Sequence, residues 1–267
     1  MSIGTLMGVL FGFGLFIAAI VTSTNNYFIF VSGASFLMVA GGTLASSFIS
    51  FQARYVILAL KELPRLFKVQ RVGRKTLNTE TGMVIKWGLA AKKGGLIALE
   101  KQIKSIRPKD PYLIYGLELV STGYSGEEVR DMLTATIEST FERNLVPANI
   151  LRYMSSTAPA FGMIGTLVGL IIMLESMGAD SSQLGKGLAI ALITTLYGVL
   201  MARLIFLPGA TKATQKEEIS RFRKYLLLEG FVMLAEDKGP RYMVDKMNSF
   251  LAPEIQYRRK KLRKKKK

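Results

Sequence analysis

Three hydroxyl residues set in apolar sequence carry the clearest chemical signal in this chain. Thr166 lies in Ala158-Pro-Ala-Phe-Gly-Met-Ile-Gly-Thr-Leu-Val-Gly-Leu170. Thr194 and Thr195 lie in Ala191-Leu-Ile-Thr-Thr-Leu-Tyr-Gly198. Hydroxyl and carbonyl oxygens suit a hard cation such as sodium. The competing reading is local: a Thr hydroxyl in a helix often bonds its own carbonyl one turn back. Equally informative is what is missing. No Asp or Glu sits midway along any apolar run, where a chain carrying ions alone would place one. Glu175 falls near one end of its run, and Arg203 lies near the end of another, where it can snorkel to water. Either the chain does not move ions, or a helix of another chain brings the carboxylate; the hydroxyls favour the second, in which Thr166, Thr194 and Thr195 are transient metal ligands in half of an ion site.

The elements that must position these hydroxyls are helices across a bilayer. The runs from Ala158 to Met177 and from Gly187 to Leu207 are each about 20 residues, the length of a spanning helix. Gly162, Gly165 and Gly169 in one, with Gly187, Ala191, Gly198 and Ala202 in the other, provide faces for close helix packing. Pro159 fits a first helical turn, or a kink if the helix begins earlier. Two further spans, Ile3–Val21 and Tyr27–Ile49, precede them, with Gly4, Gly8 and Gly12 along one face of the first.

Charge fixes the orientation. The 267 residues include 36 Lys and Arg against 19 Asp and Glu, with 49% hydrophobic residues. The basic residues concentrate between Phe51 and Arg152 and after Gly209, and the turns Thr22–Asn26 and Gly178–Gly185 hold none. The positive-inside rule then predicts cytoplasmic termini and outward-facing turns, with all three threonines in the cytoplasmic half of the bilayer. Nucleic acid is not an expected partner, because the spans account for the charge and no nucleic-acid motif accompanies it. The chain has neither His nor Cys, which excludes Ser-His-Asp catalysis, thiolates, disulfides and the usual zinc sites. No nucleophile-base pair or phosphate loop is visible, so no enzyme and no cofactor are expected.

The fold class read from this pattern is all-α, a polytopic membrane protein with four transmembrane helices and a helical cytoplasmic domain. Residues 1–50 form spans one and two, 51–152 a cytoplasmic helical segment, 153–208 spans three and four, and 209–267 cytoplasmic helices with a basic tail. Helices are expected around Val56–Phe67, ended or kinked at Pro64, and over Thr79–Ile103, weakened at the pair Gly94-Gly95. Ser125-Gly-Glu-Glu128 is a capping box opening a long helix, with a bend suggested at Pro147. Pro208-Gly209 marks the membrane exit. Lys212–Glu236 reads as a basic amphipathic helix with Phe222, Leu226, Gly230 and Met233 on one face, followed by a short helix over Tyr242–Leu251. The tail Arg258–Lys267 is expected to be disordered and attracted to anionic lipid.

The Thr166 and Thr194-Thr195 segments, with Phe206-Leu-Pro208 and the cytoplasmic Lys92-Lys93-Gly-Gly-Leu-Ile-Ala-Leu-Glu100, resemble the MotA/PomA family of flagellar motor stator subunits. The resemblance covers nearly the whole chain. It implies residence in the bacterial inner membrane, and a homo-oligomer, a pentamer, around a dimer of a MotB/PomB-type subunit. That partner's single spanning helix brings the ion-binding Asp. It also implies torque on the rotor protein FliG through Lys92, Lys93 and Glu100, with Pro159 and Pro208 as conformational hinges. Lys at position 92, where the family often has Arg, keeps the charge but not the bidentate fork. Thr166 with Thr194 and Thr195 resembles the sodium-driven pattern, so Na+ is the expected ion and H+ the alternative. The competing functions are an ExbB/TolQ-like energiser, which has one span before its cytoplasmic segment where this chain has two, and a non-conducting membrane scaffold.

Overall fold

The computed structural model describes residues 3–67, 73–103, 110–175 and 181–257. The basic tail, residues 178–180 of the expected outward turn and the last residues of the third apolar run lie outside these. All regular structure among the described residues is helical: α1 Ile3–Ser23, α2 Gly33–Phe36, α3 Gly42–Ser50, α4 Ala53–Glu62, α5 Arg74–Ile103, α6 Pro111–Thr122, α7 Gly126–Glu175, α8 Ser181–Leu200, α9 Leu207–Ala235 and α10 Pro240–Asn248. Among the described residues, four stretches are long and apolar enough to cross a membrane. The chain is a multi-pass membrane protein.

The chain divides into two compact units. The first comprises Met1–Val69 and Asn144–Lys216. Its core is Val39, Val56, Ala59, Ile150, Leu151, Met154, Ala158, Ala202, Phe206 and Ala210. Much of this core is small, because in lipid there is little hydrophobic force between helices and close approach must supply the packing. The second span is less uniform than its composition suggests. Tyr27–Phe30 is a 3₁₀ turn, and regular helix begins at Gly33, where the Ser35 amide donates to the Ser32 side chain at 3.2 Å. A π-helical turn, Leu37–Gly41, then joins α2 to α3. Contacts group α4 with the spans, although its composition reads as cytoplasmic. As expected at Pro64, α4 stops at Glu62 and the chain continues as a 3₁₀ turn, Leu63–Phe67.

Pro208-Gly209, read as the membrane exit, does not interrupt the helix. Met201–Phe206 is π-helical, with the Leu207 amide bonded five residues back to Ala202, and α9 continues through the proline. A proline cannot donate to the carbonyl four residues earlier and crowds it. The widened turn just before it gives the chain room to continue.

The second unit comprises Gln70–Arg143 and Glu217–Lys267. Its core wraps the apolar stretch of α9. Leu226, Leu227, Leu228, Phe231, Val232, Met233 and Leu234 are all buried, with Trp87 stacked on Phe231 at 6.1 Å. This part of α9 is covered on all sides rather than along one stripe, and Phe222, expected on the buried face, is 39% exposed. The capping box forms as read: the Ser125 amide donates to Glu128 Oε2 at 2.9 Å and the Glu128 amide to Ser125 Oγ at 3.3 Å. The helix expected from Thr79 begins at Arg74, and the last helix is Pro240–Asn248 rather than Tyr242–Leu251.

One buried charge cluster pins this unit. Arg223 donates to Glu80 at 2.6–2.9 Å and to Asp110 at 2.6 Å, its side chain 12% exposed. Asp110 also caps α6 by accepting from the Tyr112 amide. Burial opposes the guanidinium charge, but the hydrogen bonds and charges of Glu80 and Asp110 outweigh it, so the Arg223 pKa lies above its ordinary value.

Candidate functional site

The α7–α8 hairpin is built by glycine. A Cβ placed on Gly169 would lie 2.6 Å from the Ala191 amide nitrogen and 2.7 Å from the Gly187 carbonyl. One on Gly198 would lie 2.7 Å from the Ala158 carbonyl and 3.1 Å from the Pro159 Cα. These are distances a side chain cannot occupy, so the two backbones meet only because hydrogen stands there.

That close approach brings Thr166 and Thr195 together. Their hydroxyl oxygens are 2.5 Å apart. Thr166 Oγ1 is also within 3.2 Å of the Gly162 and Ala191 carbonyls, and Thr195 Oγ1 is 3.3 Å from Gly162. Two hydroxyls and two carbonyls from two helices thus converge. Two hydroxyl protons satisfy some of these contacts, and lone pairs remain on all four oxygens. The cluster is an oxygen-rich, charge-free site suited to a hard monovalent cation or a water.

Thr194 does not join it. Its hydroxyl donates within α8, to Ile190 at 2.7 Å or Ala191 at 2.9 Å. The side chain is fully buried against Gly165, where a Cβ would come within 2.5 Å of it. Thr166 also reaches its own helix carbonyl at Gly162, but Thr194 is the one of the three whose hydroxyl contacts all lie within its own helix.

Sequence reasoning passed over Tyr197. Its hydroxyl donates to the Phe30 carbonyl at 2.6 Å and accepts from the Ser32 amide at 3.2 Å. It therefore ties α8 to the irregular head of the second span, satisfying backbone groups the 3₁₀ turn leaves free. A tyrosine among small residues in an apolar helix was the available signal, since a buried phenol needs a partner. Tyr197 is two residues beyond Thr195 in α8, and its contact sets this part of α8 beside the first residues of the second span.

Pro159 lies inside α7, which starts at Gly126, so the first-turn alternative is excluded. Its missing N–H deprives the Ser155 carbonyl of a backbone donor, seven residues before the Gly162 carbonyl that faces the threonines. Pro147 is interior as well. Pro208 follows the π-helical turn described above.

The charges singled out in α5 occupy a broken helix. Lys92, Lys93 and Glu100 are exposed. Between them Gly95 adopts φ 63°, ψ −160°, which interrupts α5. Residues seven apart in an intact helix share a face, and the break removes that relation between Lys93 and Glu100. Among the described residues no group of three or more acidic residues could hold a metal ion.

Comparison with known proteins agrees with this architecture. Residues 104–223 match the MotA/TolQ/ExbB proton channel family. The chain is 36% identical to the uncharacterised protein YtxD of Bacillus subtilis over 84% of this chain and 80% of that one. It is 30% identical to the chemotaxis protein PomA of Vibrio alginolyticus, covering 94% of this chain and 96% of PomA. Motility protein A of Borreliella burgdorferi is 29% identical, with 95% of each chain covered. The structure superposes on that of the flagellar MotAB stator complex from Bacillus subtilis with a TM-score of 0.83 at 25% identity, covering 93% of this chain and 96% of that one. It shares the fold of the C. jejuni MotAB structure with a TM-score of 0.84 at 23% identity, covering 95% and 97%.

Proposed function

We propose a sodium-coupled mechanism for this chain, which belongs to the MotA/PomA family of flagellar motor stator subunits. It is a motor subunit and not an enzyme. In the proposed assembly, copies of the chain, five by family resemblance, surround two copies of a MotB/PomB-type subunit in the inner membrane, with both termini cytoplasmic. The partner's spanning helix presents an Asp to the Thr166–Thr195 pair. An inward-moving ion exchanges part of its water for these oxygens and the carboxylate. Neutralising the Asp changes its preferred contacts on the α7–α8 faces, and Pro159 and Pro208 supply hinges that let those helices follow. Lys92, Lys93 and Glu100 transmit the motion to FliG.

The observation that carries this reading is the convergence of two hydroxyls and two carbonyls, without any carboxylate, on a glycine-packed hairpin. It supports a site completed from outside the chain. The same oxygens support sodium, because hydroxyl and carbonyl ligands stabilise a hard cation, whereas a proton held on the partner's Asp gains little from them. Proton coupling is the second reading, favoured by the description of the family that matches residues 104–223.

The test is motor rotation in cells expressing the chain with an Asp-bearing single-span partner. Membrane potential is held fixed while external sodium is lowered. Torque should fall with sodium and vanish without the partner Asp. Undiminished torque at low sodium would establish proton coupling instead.

A further inference from the structure

A second surface on the first unit has a chemistry of its own. The second span ends at Ser50, and only Phe51 and Gln52, both extended, separate it from α4. Phe51 packs edge-on against Tyr153 at 5.2 Å. The Tyr153 hydroxyl bonds Ser46 at 2.7 Å and Ser50 at 3.0 Å. This cluster fixes the direction in which the chain leaves the span, so α4 starts at the level where the span reaches the membrane surface.

The two faces of α4 differ. Val56 and Ala59 are fully buried, and Leu60 and Leu63 pack against the core of the unit. On the opposite face Arg54, Ile57, Leu58 and Lys61 recur at three- and four-residue intervals, and Arg65 follows in the 3₁₀ turn after α4. Ile57 is 45% and Leu58 43% exposed, and the three basic residues are exposed. Arg54 lies over the Tyr55 ring at 4.5 Å. Glu62 pairs with Arg65, and with Lys216 at 3.8 Å, so one carboxylate steadies two cations and leaves the face net positive. Just upstream, Phe48 is 44% and Ile49 87% exposed at the end of α3. An apolar ring followed by a basic row, with two aliphatic side chains inside that row, has the order of acyl chain and headgroup layers in a bilayer.

We propose that this face of α4 lies in the headgroup layer and selects anionic phospholipid, with Arg54, Lys61 and Arg65 meeting phosphates while Ile57 and Leu58 enter the acyl boundary. On the orientation given above this is the cytoplasmic leaflet, but lipid selection does not depend on motor activity. The occupant is a bilayer rather than a second copy of this chain because the exposed row matches the charge of anionic lipid and would repel itself.

The full chain, purified and reconstituted in mixed phosphatidylcholine–phosphatidylglycerol vesicles, is examined by electron spin resonance of spin-labelled versions of each lipid. The immobilised fraction should favour phosphatidylglycerol by at least about threefold at low salt. Selection should approach unity in Arg54→Gln/Lys61→Gln/Arg65→Gln and in high salt. It should persist in the control Lys238→Gln/Arg241→Gln/Lys246→Gln. Because the chain has no cysteine, a fluorophore on Leu58→Cys gives a second readout and should be quenched by lipid labelled near its headgroup. Equal immobilisation of both lipids, or selection unchanged in the triple variant, would overturn the proposal. So would a Leu58→Cys fluorophore that escapes lipid quenching, or an unlabelled Leu58→Cys thiol that crosslinks to a second copy.

Discussion

Thr166 and Thr195 stand 29 positions apart in the chain, and their hydroxyl oxygens are 2.5 Å apart across the α7–α8 contact. Thr194, adjacent in sequence, is turned into its own helix. Neighbouring residues of one type therefore have different jobs, and substitution should separate them.

Thr166→Ala and Thr195→Ala should each raise the external sodium needed for half-maximal rotation by about tenfold or more, the scale of losing one hydrogen-bonding oxygen to a charged group. Membrane insertion and assembly should be retained. Thr166→Ser should restore most of the loss. Thr194→Ala should leave the sodium dependence within about twofold and show its cost as lower thermal stability, because it opens a gap over Gly165. A Thr194→Ala shift as large as that of Thr166→Ala would contradict this assignment.

Gly95→Ala should destabilise the second unit by about 1–3 kcal/mol, because φ 63°, ψ −160° is a region open essentially to glycine alone. No neighbour lies within 4 Å of a Cβ there, so the cost is backbone strain and not a clash. Trp87, the only tryptophan, reports on this unit by fluorescence during denaturation. If the variant instead straightens α5, stability will hold while rotation fails, since Lys92 and Lys93 would be turned relative to Glu100.

Arg223→Met should cost about 3–5 kcal/mol, the range for removing one partner of a buried ion cluster. Glu80 and Asp110 would be left facing each other without their cation. Replacing all three by apolar residues should recover much of the loss. Trp87 fluorescence again measures both variants, and an Arg223→Met protein as stable as the parent would show that the cluster is not a structural pin.

Acid should weaken the second unit in a defined window. Hydrogen bonds from Ser125 lower the Glu128 pKa, and those from Tyr225 and Arg221 lower that of Glu138, both from an ordinary value of 4.5. A depressed carboxyl pKa means that the unfolded chain binds more protons than the folded one. Its contribution is present above about pH 4.5 and is lost as pH falls through the folded values. Ser125→Ala keeps the backbone donor, the larger of the two causes, so it should flatten this acid limb only in part while removing about 1 kcal/mol of helix capping. Glu128→Gln removes the titrating group, and a stability–pH profile unchanged in that variant would count against the Glu128 share.

The spans, the excess of charge between and after them, the capping box at Ser125 and the weak point at Gly94-Gly95 were all legible in the sequence. Each depends on residues within a few positions of one another: a run long enough for a bilayer, a side chain reaching its own helix end, a glycine lacking a Cβ. The helical run through Pro208 was not legible. Proline reads as a terminator, and the π-helical turn that accommodates it has no composition of its own. The buried surround of Leu226–Leu234 was hidden for a related reason, since α9 carries a basic stretch and an apolar stretch whose averages resemble one amphipathic helix.

By itself, the sequence determined that this chain crosses a membrane four times, that it offers hydroxyl oxygens there, and that it brings no carboxylate of its own. Those properties follow from residue types and run lengths. Only the tertiary structure decided that Thr166 meets Thr195 while Thr194 packs on Gly165, that Tyr197 holds Phe30, and that Arg223 joins Glu80 to Asp110. The physical reason is range. Each pairing is set by distances of about 3 Å between positions far apart in the chain, and which ones meet depends on how closely glycine lets two backbones approach.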